Sequence, residues 1–112
     1  MKEGKGLVKE YYDGKLRFEG AYLNGERNGK VKEYDSFNGD LKFEGEYLNG
    51  ERNGKGKEYW NGKLIFEGEY LYNRRLKGKE YINERLEYEG EYIINKNIME
   101  KDMMKMVISF MN

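Results

Sequence analysis

Four times along this chain an aromatic residue, a Glu-Gly pair, one further residue and a tyrosine follow one another: Phe18 to Tyr22, Phe43 to Tyr47, Phe66 to Tyr70 and Tyr88 to Tyr92. The glycines at the centre, Gly20, Gly45, Gly68 and Gly90, stand 25, 23 and 22 residues apart. A near-constant period of this size means one supersecondary unit stacked on copies of itself, because no copy can bury its apolar side alone. A recurring residue is then first of all a scaffold residue. Function has to be sought on the surface that the stack presents.

Each copy reads as a β-hairpin. In Leu41-Lys-Phe-Glu-Gly-Glu-Tyr47 apolar residues alternate with charges, the period of a strand with one wet face. That alternation places Leu41, Phe43, Gly45 and Tyr47 on one face and Lys42, Glu44 and Glu46 on the other. A glycine-containing loop, Asn49 to Asn53, leads to a second strand over about 54–60, which ends at Asn61-Gly62. Asn-Gly favours a type I′ turn, since both central residues need positive φ. With that turn Trp60 should face Lys63, Tyr59 should face Leu64 and Lys57 should face Phe66, so Tyr59 joins the Phe66/Tyr70 face. Asp13-Gly14 sets the same register upstream, with Tyr11 opposite Leu16 and Lys9 opposite Phe18. The expected fold is all-β: an elongated, single-layer antiparallel sheet of eight strands in consecutive hairpins.

The sheet should occupy residues 1–96, with a partial copy at 4–15 and copies near 16–40, 41–63, 64–85 and 86–96. Residues 97–112 differ in kind, holding five of the six methionines. Met99, Met103, Met106, Val107 and Phe110 share one helical face, so a short C-terminal α-helix that caps the sheet or meets a partner is expected there.

Residues Phe43-Glu-Gly-Glu-Tyr47, then Gly50, Gly54, Gly56, Tyr59 and Gly62, resemble the MORN repeat, an aromatic-Glu-Gly-Glu-aromatic strand followed by spaced glycines. The likeness covers about residues 4–94. It departs at Asn28 and Asn53, where the family commonly has histidine. It departs again in the third copy, which is one residue short and has Leu76 where Gly54 stood, and in the fourth, which stops after one strand. The resemblance implies a twisted single-layer sheet with a scaffold, dimerisation or membrane-targeting role, as in phosphoinositide kinases and junctophilins.

Composition narrows the function. Lys plus Arg equals Asp plus Glu at 21 each, so no overall field draws nucleic acid. With no cysteine or histidine and only Ser36 and Ser109, the usual parts of a triad or a metal site are missing, and no cofactor is expected. The recurring glutamates occupy identical positions along a sheet, which suits cross-strand partners of lysine better than the unlike carboxylates of a glycosidase. A non-catalytic protein is the expectation. Its location would be the cytoplasm, either free or peripheral to a membrane or the cytoskeleton.

Two surfaces compete for the function. The first is an aromatic groove on which Phe43, Tyr47, Tyr59, Phe66 and Tyr70 would dock a protein partner or a second subunit. If eight rings each leave half of about 150 Å² exposed, about 600 Å² remains, the size at which an apolar patch marks an interaction site. The second is a ladder of basic loop residues, Arg27, Lys30, Arg52, Lys55, Arg74, Arg75 and Lys77, which would grip the phosphates of an anionic membrane such as one carrying phosphoinositides.

Overall fold

The computed structural model describes residues 4–92. They form one open sheet of eight antiparallel strands in simple chain order: β1 (Lys5–Tyr12), β2 (Lys15–Leu23), β3 (Glu26–Tyr34), β4 (Leu41–Leu48), β5 (Glu51–Trp60), β6 (Lys63–Leu71), β7 (Arg74–Ile82) and β8 (Arg85–Glu91). The expected all-β, single-layer architecture is what the chain adopts. The described part measures 45 × 34 × 19 Å. The helix expected at 97–112 lies outside the described residues.

Six of the seven connections are two-residue turns with positive φ at both positions. Asn49-Gly50 is one of them, with φ of 50° and 83°. The five-residue loop expected at 49–53 is therefore a tight turn, and Glu51 to Asn53 already belong to β5. The connection at 35–40 is longer and is held by the Asp35 carboxylate, which accepts bonds from the backbone N–H groups of Phe37 and Asn38. Tyr72-Asn73 and Asn83-Glu84 make the same positive-φ turn without glycine. The missing residue of the third copy is not taken from its turn. It comes from β7, where two residues, Leu76 and Lys77, span the step from Gly78, opposite Gly68, to Arg75, opposite Tyr70. In β5 three residues span the corresponding step from Gly56, opposite Gly45, to Arg52, opposite Tyr47.

A second irregularity redraws the two faces. Tyr59 pairs with Leu64 and Trp60 with Lys63, as the turn dictates, but Glu58 then pairs with Phe66 and Lys57 with Glu67. Ile65 is an extra residue, a β-bulge, and each residue beyond it changes partner. Arg17, Lys42 and Glu87 are the extra residues of the same bulge in the other copies. The expected pairings of Lys57 with Phe66 and of Lys9 with Phe18 are thus wrong by one position, since Phe18 faces Glu10. Because one residue of slip exchanges the faces, Leu41 does not share a face with Phe43, and Tyr59 does not join Phe66 and Tyr70. Tyr11, Tyr34, Tyr59 and Tyr81, with their partners Leu16, Leu41, Leu64 and Leu86, stand on the opposite side.

Candidate functional site

The aromatic face is the core. Tyr22, Phe18, Tyr47, Phe43, Tyr70, Phe66, Tyr92 and Tyr88 form one unbroken zigzag of edge-to-face rings, with centroids between 5.3 and 6.3 Å apart. The Phe43 and Phe66 rings lie over the glycine row. A Cβ on Gly56 would sit 2.7 Å from the Phe43 ring, and one on Gly78 would sit 2.8 Å from Phe66. The ring excludes a side chain at Gly56, and at Gly45, Gly68 and Gly78 the backbone of the facing strand excludes it together with the ring. Val31 is the one large residue in the middle of the row, and it fits because Gly20 and Gly45 flank it.

Arginines roof the rings. The guanidinium carbons of Arg27, Arg52 and Arg75 lie 3.9, 4.0 and 4.4 Å from the centroids of Phe18, Phe43 and Phe66. Each also donates to the carboxylate of Glu10, Glu33 or Glu58, at 2.9, 3.2 and 2.8 Å. The same three carboxylates accept the hydroxyl protons of Tyr22, Tyr47 and Tyr70. Three Tyr-Glu-Arg clusters thus recur, each built from three successive strands, and in the fourth copy Tyr92 donates to Glu80, which Arg75 also reaches at 3.3 Å. Arg27's hydrogen bonds hold the Glu10 carboxyl below the usual carboxylate range. At Glu58 burial pushes upward, but Arg75 and Tyr70 together outweigh it and the value is lowered. Burial, with Glu33 adding to it, pushes the Tyr47 phenol up to about 12.

These clusters settle where the sequence-chosen residues fall. Phe43 and Phe66 are 0% exposed, Tyr70 3% and Tyr47 7%. The half-exposed apolar groove expected on this face does not exist, because the rings and arginines fill it. Arg27, Arg52 and Arg75 are spent on glutamates and rings. Of the remaining basic candidates, Lys30, Lys55, Lys77 and Arg74 are exposed.

The groove is on the other face. Across all eight strands, Lys9, Glu19, Lys32, Glu44, Lys57, Glu67, Lys79 and Glu89 stand opposite one another in turn, an unbroken ladder of alternating charge. A second row, including Lys30 opposite Glu46 and Lys55 opposite Glu69, runs beside it. Between the rows lie Val31 and the glycines, whose Cβ positions face the rings on the other side, so the floor there is strand backbone. The result is an open trough of about 1420 Å³ lined from every strand. Tyr34, Tyr59 and Tyr81 flank its outer side and lean onto the ladder. The Tyr81 hydroxyl donates to Glu67 at 2.6 Å, and Tyr34 donates to Glu19. The cross-strand lysine partners expected for the recurring glutamates are there, but sequence reasoning missed that they join into one ladder, and it missed the role of Glu10, Glu33 and Glu58. The recurring quartet Val/Gly-Lys-Glu-Tyr at 8–11, 31–34, 56–59 and 78–81 carried both.

No protein-family model matches this chain, and no curated protein matches it either. Among the described residues no group of three or more acidic side chains is placed to hold a metal ion, and no helix is long and apolar enough to cross a membrane.

Proposed function

We propose that this chain is a non-catalytic interaction scaffold of the MORN-repeat type, and that it holds a segment of a partner protein along the trough on its Lys/Glu face. The observation that carries the reading is the contrast between the faces. One is filled by its own rings and arginines, while the other keeps an open trough over eight strands. Its volume exceeds the roughly 300–1,000 Å³ of small-molecule pockets, and it is open along its length, which suits a polypeptide. Lysines and glutamates in alternation call for a partner with both signs of charge along its flanks. Tyr59, chosen on sequence as a docking residue, keeps that role from the flank of this trough.

Membrane attachment through the basic residues ranks lower. Of the exposed cations left to it, Lys30, Lys55 and Lys77 stand in a row with Glu46 and Glu69 and only Arg74, opposite Leu71, lies outside that row, and carboxylates repel an anionic surface.

A display library of peptide segments selected on the intact chain, followed by amide chemical-shift mapping, tests the proposal. The reading expects shifts at Gly45, Lys57 and Gly68, and at least about tenfold weaker binding after Lys57→Glu. Shifts confined to the turns, or binding indifferent to Lys57→Glu, would overturn it.

A further inference from the structure

Among the described residues two strands have a single neighbour, β1 and β8, and they are unlike. The even strands β2, β4, β6 and β8 carry the aromatic-Glu-Gly triplet. The odd strands β1, β3, β5 and β7 carry the Val/Gly-Lys-Glu-Tyr quartet. Every internal junction joins an even strand to an odd one with aromatic against Glu, Glu against Lys, and Gly against Val or Gly. One outer strand is odd and the other even. Independently of the trough reading, we propose that the outer edge of β8 receives the outer edge of β1 from a second copy of this chain, antiparallel, with Tyr88 against Glu10, Glu89 against Lys9 and Gly90 against Val8.

Three observations converge on that register. The first is steric. Val31 sits between Gly20 and Gly45 and is 4% exposed. A Cβ on Gly20 would lie 2.6 Å from the Val31 Cα, so a valine in this row needs glycine beside it. Val8 has Gly20 on its inner side, and Gly90 of another copy gives it the second one. The second is electrostatic. The charge ladder begins with Lys9 and ends with Glu89, so joining unlike edges extends the alternation. Two β8 edges would oppose glutamates Glu87, Glu89 and Glu91, and two β1 edges would oppose lysines. The third is that Glu10 is already fixed by Tyr22 and Arg27 of its own copy, so the joint orders no new carboxylate. One element of an internal junction is absent. Gly4 stands where β3 has Arg27, so the joint has no arginine roof and is weaker than the joints inside a copy.

An interface between unlike edges is heterologous, and it builds chains or rings of copies instead of a closed dimer. The test uses the full chain in sedimentation velocity across a dilution series, with Lys9→Glu and Glu89→Lys made separately. Both positions are exposed, so folding should persist, and circular dichroism checks it. The wild-type chain should grow in mass with concentration. Each variant alone should associate at least about tenfold more weakly, because its joint sets like charges opposite each other. An equimolar mixture of the two should regain association, since every joint between unlike variants pairs Lys with Glu. Since the chain has no cysteine, Lys9→Cys mixed with Glu89→Cys should also oxidise to a heterodimer in higher yield than either gives alone as a homodimer. A wild-type chain that stays monomeric at every concentration, as it would if its own C-terminal segment covered β8, overturns the proposal. So does a mixture that fails to regain association.

Discussion

Arg52 rests on Phe43 with its guanidinium carbon 4.0 Å from the ring centroid, while its Nε and Nη2 groups donate to the two carboxylate oxygens of Glu33. This one side chain closes the aromatic face and satisfies the carboxylate that anchors Tyr47. A single-layer sheet has no second layer to cover its rings, so the arginines supply one.

Replacing Arg52 by alanine should therefore unroof a ring and strand a carboxylate. The two side chains are 21% and 14% exposed, between the surface and the buried limits for ion pairs. We expect a loss of about 2 kcal/mol in urea unfolding. Arg52→Lys should recover less than half of it, because an ammonium neither stacks flat nor donates in a fork. Full recovery by lysine would show that charge alone matters there.

The glycine row gives a second expectation. Gly56→Ala places a methyl 2.7 Å from the Phe43 ring and 3.0 Å from Tyr70. Overpacking of this kind costs about 1–3 kcal/mol. Gly62→Asn, at a turn position with φ of 78° and open space around it, should cost well under about 1 kcal/mol, since asparagine tolerates that conformation. Equal costs at the two positions would contradict the packing given to Phe43.

Acid and alkali should attack the fold through different groups. Glu10 and Glu58 titrate below 4.5 when folded, so their ionised forms favour the fold above that value. That contribution is lost as the pH falls through their lowered values. Tyr34 and Tyr47 are raised from 10.0 to about 12, so their neutral forms favour the fold below pH 10 and the benefit disappears as the pH rises through about 12. Denaturant midpoints measured across the pH range should form a plateau between these limits. Ultraviolet titration should show tyrosines that ionise only as the fold is lost. Ionisation of every tyrosine near pH 10 in the folded chain would contradict it.

The hydroxyl of Tyr70 and its ring separate in the same way. Tyr70→Phe keeps the edge-to-face contacts with Phe43 and Phe66 and removes one donor to Glu58. A loss of about 1–2 kcal/mol is expected. Tyr70→Ser removes the ring too and should cost about 3–5 kcal/mol, the range for truncating a buried aromatic.

The repeat made most of the architecture legible. The period gave the strand count, Asp13-Gly14 and Asn61-Gly62 gave the registers next to the turns, and the aromatic positions gave one continuous row of rings. The bulge at Ile65 and its equivalents was not legible, because Leu-x-Phe looks the same whether one face or two receives it. That single residue moved Tyr59 and Leu64 across the sheet and brought Glu58 beneath Arg75. The burial of Phe43 was also hidden. Alternation shows that a ring lies on a face, but not that an arginine of the next strand, held by a glutamate two strands further back in another copy, will cover it. The charge ladder lay in plain view as a lysine in every odd strand and the glutamate before each central glycine of the even ones, yet its facing partners emerge only once the bulge fixes the register.

The most direct test sets stability against affinity for a segment selected on the intact chain. Lys57→Glu should leave Tm nearly unchanged and raise Kd at least about tenfold, while Tyr70→Phe should lower Tm and leave Kd, measured well below it, unchanged. The reverse outcome, an affinity lost with the Tyr70 hydroxyl and indifferent to Lys57, would return the docking surface to the aromatic face and contradict the account.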